Sequence, residues 1–177
     1  QALKADRVIA ACSYARGLIN KAGYRVPKSR IRTITLGVDT GVFSTLTPSP
    51  SPLSRKREAS HGRGEQNRVI YKRLIHAASL VGVKDQAMLL QALAQLSDDV
   101  GLDILGVGPE ENRLKQLANE LNITHRINFA GAVHHLDLPQ YYRQAAINVL
   151  TSRHEGLGMV TLEAAACGLP TVSTAVG

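Results

Sequence analysis

Residues 150–177 read LTSRHEGLGMVTLEAAACGLPTVSTAVG, and the punctuation of this string decides the fold. A buried strand ends near Thr151, small residues turn the chain at Gly156-Leu157-Gly158, and a helix runs from about Met159 to Cys167. Gly168 just past the last helical residue and Pro170 two further on are the stop signals of a helix, ahead of a second short apolar strand. The helix opens on a glycine turn, so its first backbone N–H groups are bare and face whatever lies in front of them. Unpaired donors and the positive end of the helix dipole favour an anion there. Two carboxylates bracket the opening: Glu155 in the loop and Glu163 one turn into the helix, with seven residues between them.

Working backwards, the same strand-then-helix unit recurs. Val69 to Leu80 is an apolar strand region interrupted by Tyr71-Lys72-Arg73, followed by Val81-Gly82-Val83-Lys84-Asp85. A helix then places Met88, Leu89, Ala92, Leu93 and Leu96 on one apolar stripe, with Asp85 as its candidate N-cap. Gly101 to Val107 is a strand ending in Gly106-Val107-Gly108-Pro109-Glu110-Glu111, where Pro109 at a first helical position and two early acids mark a helix start. Leu114, Leu117, Ala118 and Leu121 give that helix its buried stripe. Ile127 to Ala130 is a strand, Gly131-Ala132-Val133 a turn, and Leu138 to Ala145 a helix capped by Asp137. Ile147 to Leu150 then feeds the opening element.

Four βα repeats with short loops predict an α/β fold with a Rossmann-like, doubly wound parallel sheet and right-handed crossovers. Ligands on such a sheet bind beyond the carboxyl ends of the strands. Lys84, Gly108, Val133 and Glu155 each follow a strand, so all four fall on one rim. A rim that attracts phosphate, with carboxylates able to accept hydrogen bonds from hydroxyls, has the chemistry a nucleotide-sugar needs.

The string S-R-H-E-G-L-G-M-V-T-L-E-A-A-A-C-G-L-P resembles the donor-site signature of the retaining, GT-B-fold glycosyltransferases of the group 1 type (family 4). Glu-x7-Glu alone would favour a helix whose Glu163 merely decorates a solvated face; the specificity lies in the whole string, its Gly turn and its C-G-L-P stop. The resemblance covers most of residues 5–45 and 68–177. It implies half of a GT-B fold, a nucleoside-diphosphate sugar as donor substrate rather than a cofactor, and transfer to an acceptor hydroxyl with retained configuration. It also implies roles. Lys84 holds the donor diphosphate and Glu163 accepts hydrogen bonds from the ribose hydroxyls. Glu155 lies next to the donor sugar and its reacting carbon, as the candidate catalytic residue. Gly156, Leu157, Gly158, Met159 and Val160 present backbone N–H groups to sugar and phosphate, Gly108 lies in a G-x-G-P turn beside the nucleotide, and Val133 flanks the base. One position departs from the pattern: Ala78-Ser79 stands where many members have Gly-Arg, whose Arg also binds the diphosphate. Ser79 can donate one neutral hydrogen bond at most.

No Asp-x-Asp occurs, and adjacent histidines such as His134-His135 seldom share an ion, so no metal is expected. Cys12 and Cys167 have neither metal-ligand nor redox spacing and read as buried thiols of a reducing cytosol. His154, beside Glu155, is not assigned a catalytic role.

Residues 5–11 read as a short strand, Tyr14 to Ala22 as a helix ended by Gly23, and Arg30 to Leu36 as another strand before Gly37-Val38-Asp39 and Phe43. This resembles the last strand-helix-strand unit of the family's acceptor-side domain. The expected organisation is therefore 1–46 as the end of that N-terminal domain, 47–67 as a linker, and 68–177 as the nucleotide-sugar-binding domain. The linker TPSPSPLSRKREASHGRGEQN contains almost nothing that a core would take. A chain that begins with Gln and ends just past a strand is expected to be cut at both ends, and inactive without the rest of the acceptor domain.

Composition narrows the partners. Residues 1–73 carry a net charge of +11 and residues 74–177 a net of −4, giving the overall +7, so the basicity lies away from the candidate site. Zinc-knuckle spacing, RNP-like aromatics and a long basic helix are all missing, which argues against nucleic acid. No run of some 18 apolar residues reads as a membrane span. A cytoplasmic enzyme with a basic surface suited to the inner membrane face, acting on a glycan, lipid or small-molecule acceptor, fits the charge. Two other readings stay open. One is another GT-B enzyme, such as a sugar-nucleotide epimerase or a phosphorylase. The other is a non-catalytic nucleotide-sugar-binding module, which Ser79 favours.

Overall fold

The computed structural model describes residues 8–10, 17, 21, 27–33, 37–43 and 72–176. Cys12, the helix expected from Tyr14 and the linker at 47–67 lie outside those residues or almost entirely so. Two parallel sheets are present among the described residues. The smaller pairs β1 (Val8–Ala10) with β2 (Ile31–Thr33). The larger has five strands: β3 (Lys72–Ala77), β4 (Val100–Leu105), β5 (Ile127–Gly131), β6 (Ile147–Leu150) and β7 (Thr171–Ser173). They lie in the order β5-β4-β3-β6-β7, all parallel, so the winding reverses next to β3. That reversal opens a crevice at the carboxyl ends of β3 and β6.

Four helices form the crossovers: α1 (Gln86–Ala94), α2 (Glu111–Glu120), α3 (Leu138–Gln144) and α4 (Met159–Ala166). Each face of the sheet has its own core. Leu89, Leu90 and Leu93 of α1 and Leu114 and Ala118 of α2 close over Leu102 and Ile104 on one side. On the other, Tyr142 of α3 and Ala164 of α4 close over Ile75 and Leu105, and Phe43 joins them at 1% exposure. β4, apolar save for Asp103, reads as a strand covered on both faces does, and the carboxyl half of β3 is buried beside it.

The stops predicted around α4 are realised: Cys167 is the C-cap and Gly168 takes φ +75°. The starts are less regular. Asp85 is the N-cap of α1 as expected, but its side chain makes no capping bond and its backbone sits at φ +47°. A Gly82–Lys84 3₁₀ turn delivers the chain to Asp85 left-handed, and an N-cap side chain reaches the helix only from extended backbone. Pro109 precedes α2 rather than opening it, since the helix begins at Glu111. Asp137 likewise makes no side-chain cap to α3, where Pro139 occupies the first turn.

Candidate donor site

The rim is built by four loops that lock to one another through backbone. Leu80 N–H donates to Val107 O at 3.0 Å, Gly106 N–H to Gly131 O at 2.7 Å, and Glu110 N–H to Leu80 O at 3.1 Å. These bonds demand close approach. A Cβ on Gly108 would lie 2.3 Å from Leu80 O, and one on Gly106 would lie 2.0 Å from Ala78 O. Only glycine fits at either position. On the other side of β3, Thr151 Oγ1 donates to Lys84 O at 2.9 Å and Arg153 N–H to Val83 O at 2.8 Å. Arg153 Nε also donates to Asp85 Oδ2 at 2.7 Å. That bond holds the Asp85 carboxyl below its usual range and accounts for where the missing cap went.

The two charged candidates meet. Lys84 Nζ donates to Glu155 Oε2 at 2.7 Å and to Oε1 at 3.1 Å, with both side chains mostly buried. A pair at this depth, 71 residues apart in sequence, welds the loop after β3 to the loop after β6.

Glu163 lies elsewhere on the rim. It projects from α4 at 7% exposure into a cleft of about 360 Å³, where Ser79, Val133 and Val160 also lie. Gly106, Val107, Ala132, His135, Leu138 and Tyr142 complete most of its wall. Tyr142 donates its hydroxyl to Glu163 Oε2 at 3.3 Å, and His135 Nδ1 stands 3.9 Å from Oε1. Burial first, and then the nearby Glu163 charge, push the Tyr142 hydroxyl far above its ordinary range, so it stays protonated and donates.

The predicted residues therefore fall into two neighbouring groups. Ser79, Val133, Val160 and Glu163 line the cleft, while Lys84 and Glu155 pair beyond the loop after β3. Gly108 braces the floor through its contact with Leu80. Gly156 and Leu157 precede α4, Gly158 is its left-handed N-cap at φ +64°, and Met159 is its first residue. Ser79 is exposed, and its carbonyl accepts from Gln86 Nε2 at 3.0 Å. Sequence reasoning missed Tyr142 and His135. The helical register of α3, which buries Tyr142 beside Leu138, was the available signal for the first. In the sequence His135 stands out only as half of an adjacent His pair, and among the described residues no three His, Cys, Asp or Glu side chains gather as an ion site.

A parallel αβα sheet with polar groups gathered at the switch point defines a Rossmann-like ligand-binding protein. The chain belongs to the glycosyl transferases group 1 family, whose model matches residues 62–177. It is 32% identical over 157 residues to a GDP-mannose-dependent alpha-(1-6)-phosphatidylinositol monomannoside mannosyltransferase of Mycolicibacterium smegmatis, covering 83% of this chain and 39% of that protein. It is 35% identical to a D-inositol 3-phosphate glycosyltransferase of Geodermatophilus obscurus, covering 98% of this chain and 39% of that one. The chain thus spans about two-fifths of the length of these curated relatives. Among solved structures, Anabaena HepE in complex with UDP and glucose aligns with a TM-score of 0.77 at 26% identity, over 98% of this chain and 45% of that chain. WaaG, a glycosyltransferase involved in lipopolysaccharide biosynthesis, shares the fold with a TM-score of 0.79 at 19% identity, over 99% of this chain and 46% of that chain. Among the described residues, no helix is long and apolar enough to cross a membrane.

Proposed function

We propose that this chain is the donor-binding half of a retaining glycosyltransferase, which moves a sugar from a nucleoside-diphosphate sugar to an acceptor hydroxyl. The observation that carries the reading is Glu163, a carboxylate held at 7% exposure on the first turns of α4 and facing a cleft at the sheet's switch point. A buried acceptor with no Lys or Arg at salt-bridge distance among the described residues, and His135 Nδ1 3.9 Å away, suits vicinal hydroxyls such as those of ribose. Lys84 supplies the charge for the diphosphate. A charge-assisted bond of this kind contributes roughly 1.5–3 kcal/mol, and most where charge builds on the departing group. In this reading the arriving diphosphate replaces Glu155 as the partner of Lys84, and Glu155 turns to the hydroxyls of the donor sugar. The N-terminus of α4, opened by Gly158, adds N–H donors. The charge on the diphosphate is met by these groups, and neither a metal nor a cofactor is invoked.

The relatives' names include a GDP-mannose-dependent enzyme and a protein bound to UDP, so the base is left to measurement. Calorimetric titration with UDP, GDP and ADP tests the reading. One nucleotide should bind, about tenfold more weakly or worse in Lys84→Ala and Glu163→Ala. Binding that ignores both substitutions would remove the site. The acceptor surface belongs to the remainder of the enzyme, so the 177 residues alone should bind donor without transferring sugar; detectable transfer by this chain contradicts that part. Ser79 favours a second reading, a non-catalytic nucleotide-sugar-binding module. It predicts binding without transfer even when a complete acceptor domain is supplied.

A further inference from the structure

Glu163 is met from two sides. Tyr142, fully buried, donates to Oε2 at 3.3 Å, and His135 Nδ1 faces Oε1 at 3.9 Å. Both rings pack against a residue from far upstream, Tyr142 inside the core and His135 at the surface with 60% of its side chain exposed. Phe43, 1% exposed, sits edge-on to His135 with centroids 5.1 Å apart and tilted against Tyr142 at 6.3 Å. A tight turn delivers it: Asp39 O accepts from Val42 N–H at 3.2 Å and from Phe43 N–H at 2.9 Å, while Asp39 Oδ1 accepts from Gly41 N–H at 2.8 Å. An Asp side chain closing its own turn is a local device that sequence alone encodes.

We propose that Tyr142 is a positioning residue for Glu163, held in place together with His135 by Phe43. Tyr142 fixes the plane of the carboxylate by engaging Oε2, while Oε1, with His135 Nδ1 at 3.9 Å and beyond hydrogen-bond distance, keeps its lone pairs for the cleft. Edge-to-face packing adds a geometric preference at the Phe43–His135 contact, while Phe43 meets Tyr142 at a tilt of 45°. The segment Gly37–Phe43 thereby reaches the donor site through Glu163 without touching the donor. This inference rests on Glu163 as the acceptor for ribose hydroxyls.

The test compares UDP and GDP with their 2′,3′-dideoxy counterparts on the 177-residue chain, its Glu163→Gln variant, and the variants Tyr142→Phe and Phe43→Leu. Wild type should prefer the ribonucleotide, and Glu163→Gln should abolish that preference. Tyr142→Phe keeps the ring and removes only the hydroxyl. It should cut the preference about five- to tenfold, leave dideoxynucleotide affinity unchanged, and keep the melting temperature. Phe43→Leu should cut the preference less, in the same direction. Equal weakening of both nucleotide types, alongside a lowered melting temperature, means a purely structural role and overturns the proposal. If Glu163→Gln removes the preference and neither ring variant changes it, the positioning claim alone falls. If Glu163→Gln leaves the preference intact, or wild type has none, the ribose reading falls and this inference with it.

Discussion

The two ends of the five-stranded sheet solve opposite problems. At the amino ends of the strands, Arg126 is 2% exposed and hands its N–H groups to Val100 O at 2.8 Å, Ser97 O at 2.9 Å and Leu96 O at 3.3 Å. One guanidinium satisfies the carbonyls that close the turn after α1, and Asp98 lies 3.5 Å away. At the carboxyl ends, charge is held ready rather than used up. Lys84 and Glu155 pair with each other, Glu163 faces a cleft, and, among the described residues, the buried Nε2 of His76 and hydroxyl of Ser152 have no hydrogen-bond partner, nor does Oδ1 of Asn148 within β6. Buried polar groups ordinarily find partners, so the contrast fits the proposal that one end serves stability and the other a ligand.

The contrast can be broken first at the stable end. Arg126→Ala removes three carbonyl partners and leaves a cavity, and should lower unfolding free energy by about 3 kcal/mol or more in urea denaturation. Nucleotide affinity measured well below the transition should stay unchanged. Loss of affinity with full stability would reverse the assignment of the two ends. Next comes the rim scaffold. Gly108→Ala puts a methyl group against the Leu80 backbone, and overpacking of this kind costs about 1–3 kcal/mol. Unlike Arg126→Ala, it should also abolish nucleotide binding, because the loop after β3 must move; unchanged affinity would show that the loop's position is not needed.

The smallest effect concerns pH. Burial holds His76 below its ordinary value of 6.5, against the opposing hydrogen bond to Val149 O. The folded chain therefore binds fewer protons than the unfolded chain just below pH 6.5. Stability from this residue is present above that value and is lost as pH falls, with a limiting slope of about 1.4 kcal/mol per pH unit. His76→Leu should flatten the decline in melting temperature between neutral and mildly acid pH. An unaltered decline would assign it to other groups.

Much of this frame is legible in the sequence because parallel strands and their helices are local events. The βα alternation, the Gly168 stop and the Gly-x-Gly turn each depend on neighbouring residues, and each forms where expected. The caps were harder: Asp85 has the right side chain, but its backbone arrives left-handed and its carboxylate goes to Arg153, 68 residues away. The same limit hid the Lys84–Glu155 pair, the carbonyls gathered by Arg126, and the reach of Phe43 to Tyr142. Each joins segments whose separation only the folded sheet removes. Periodicity places a residue on a face, whereas its partner across the sheet follows from strand order.

The most direct test is amide hydrogen exchange of the chain with and without the nucleotide it binds. Protection should rise at 78–84, 106–108, 132–135 and 155–163, the segments that surround Glu163 and Lys84, and stay level at 96–100 and around Arg126. Protection confined to the amino ends of the strands, or no local change at a saturating nucleotide concentration, would contradict the assignment of the carboxyl end as the donor site.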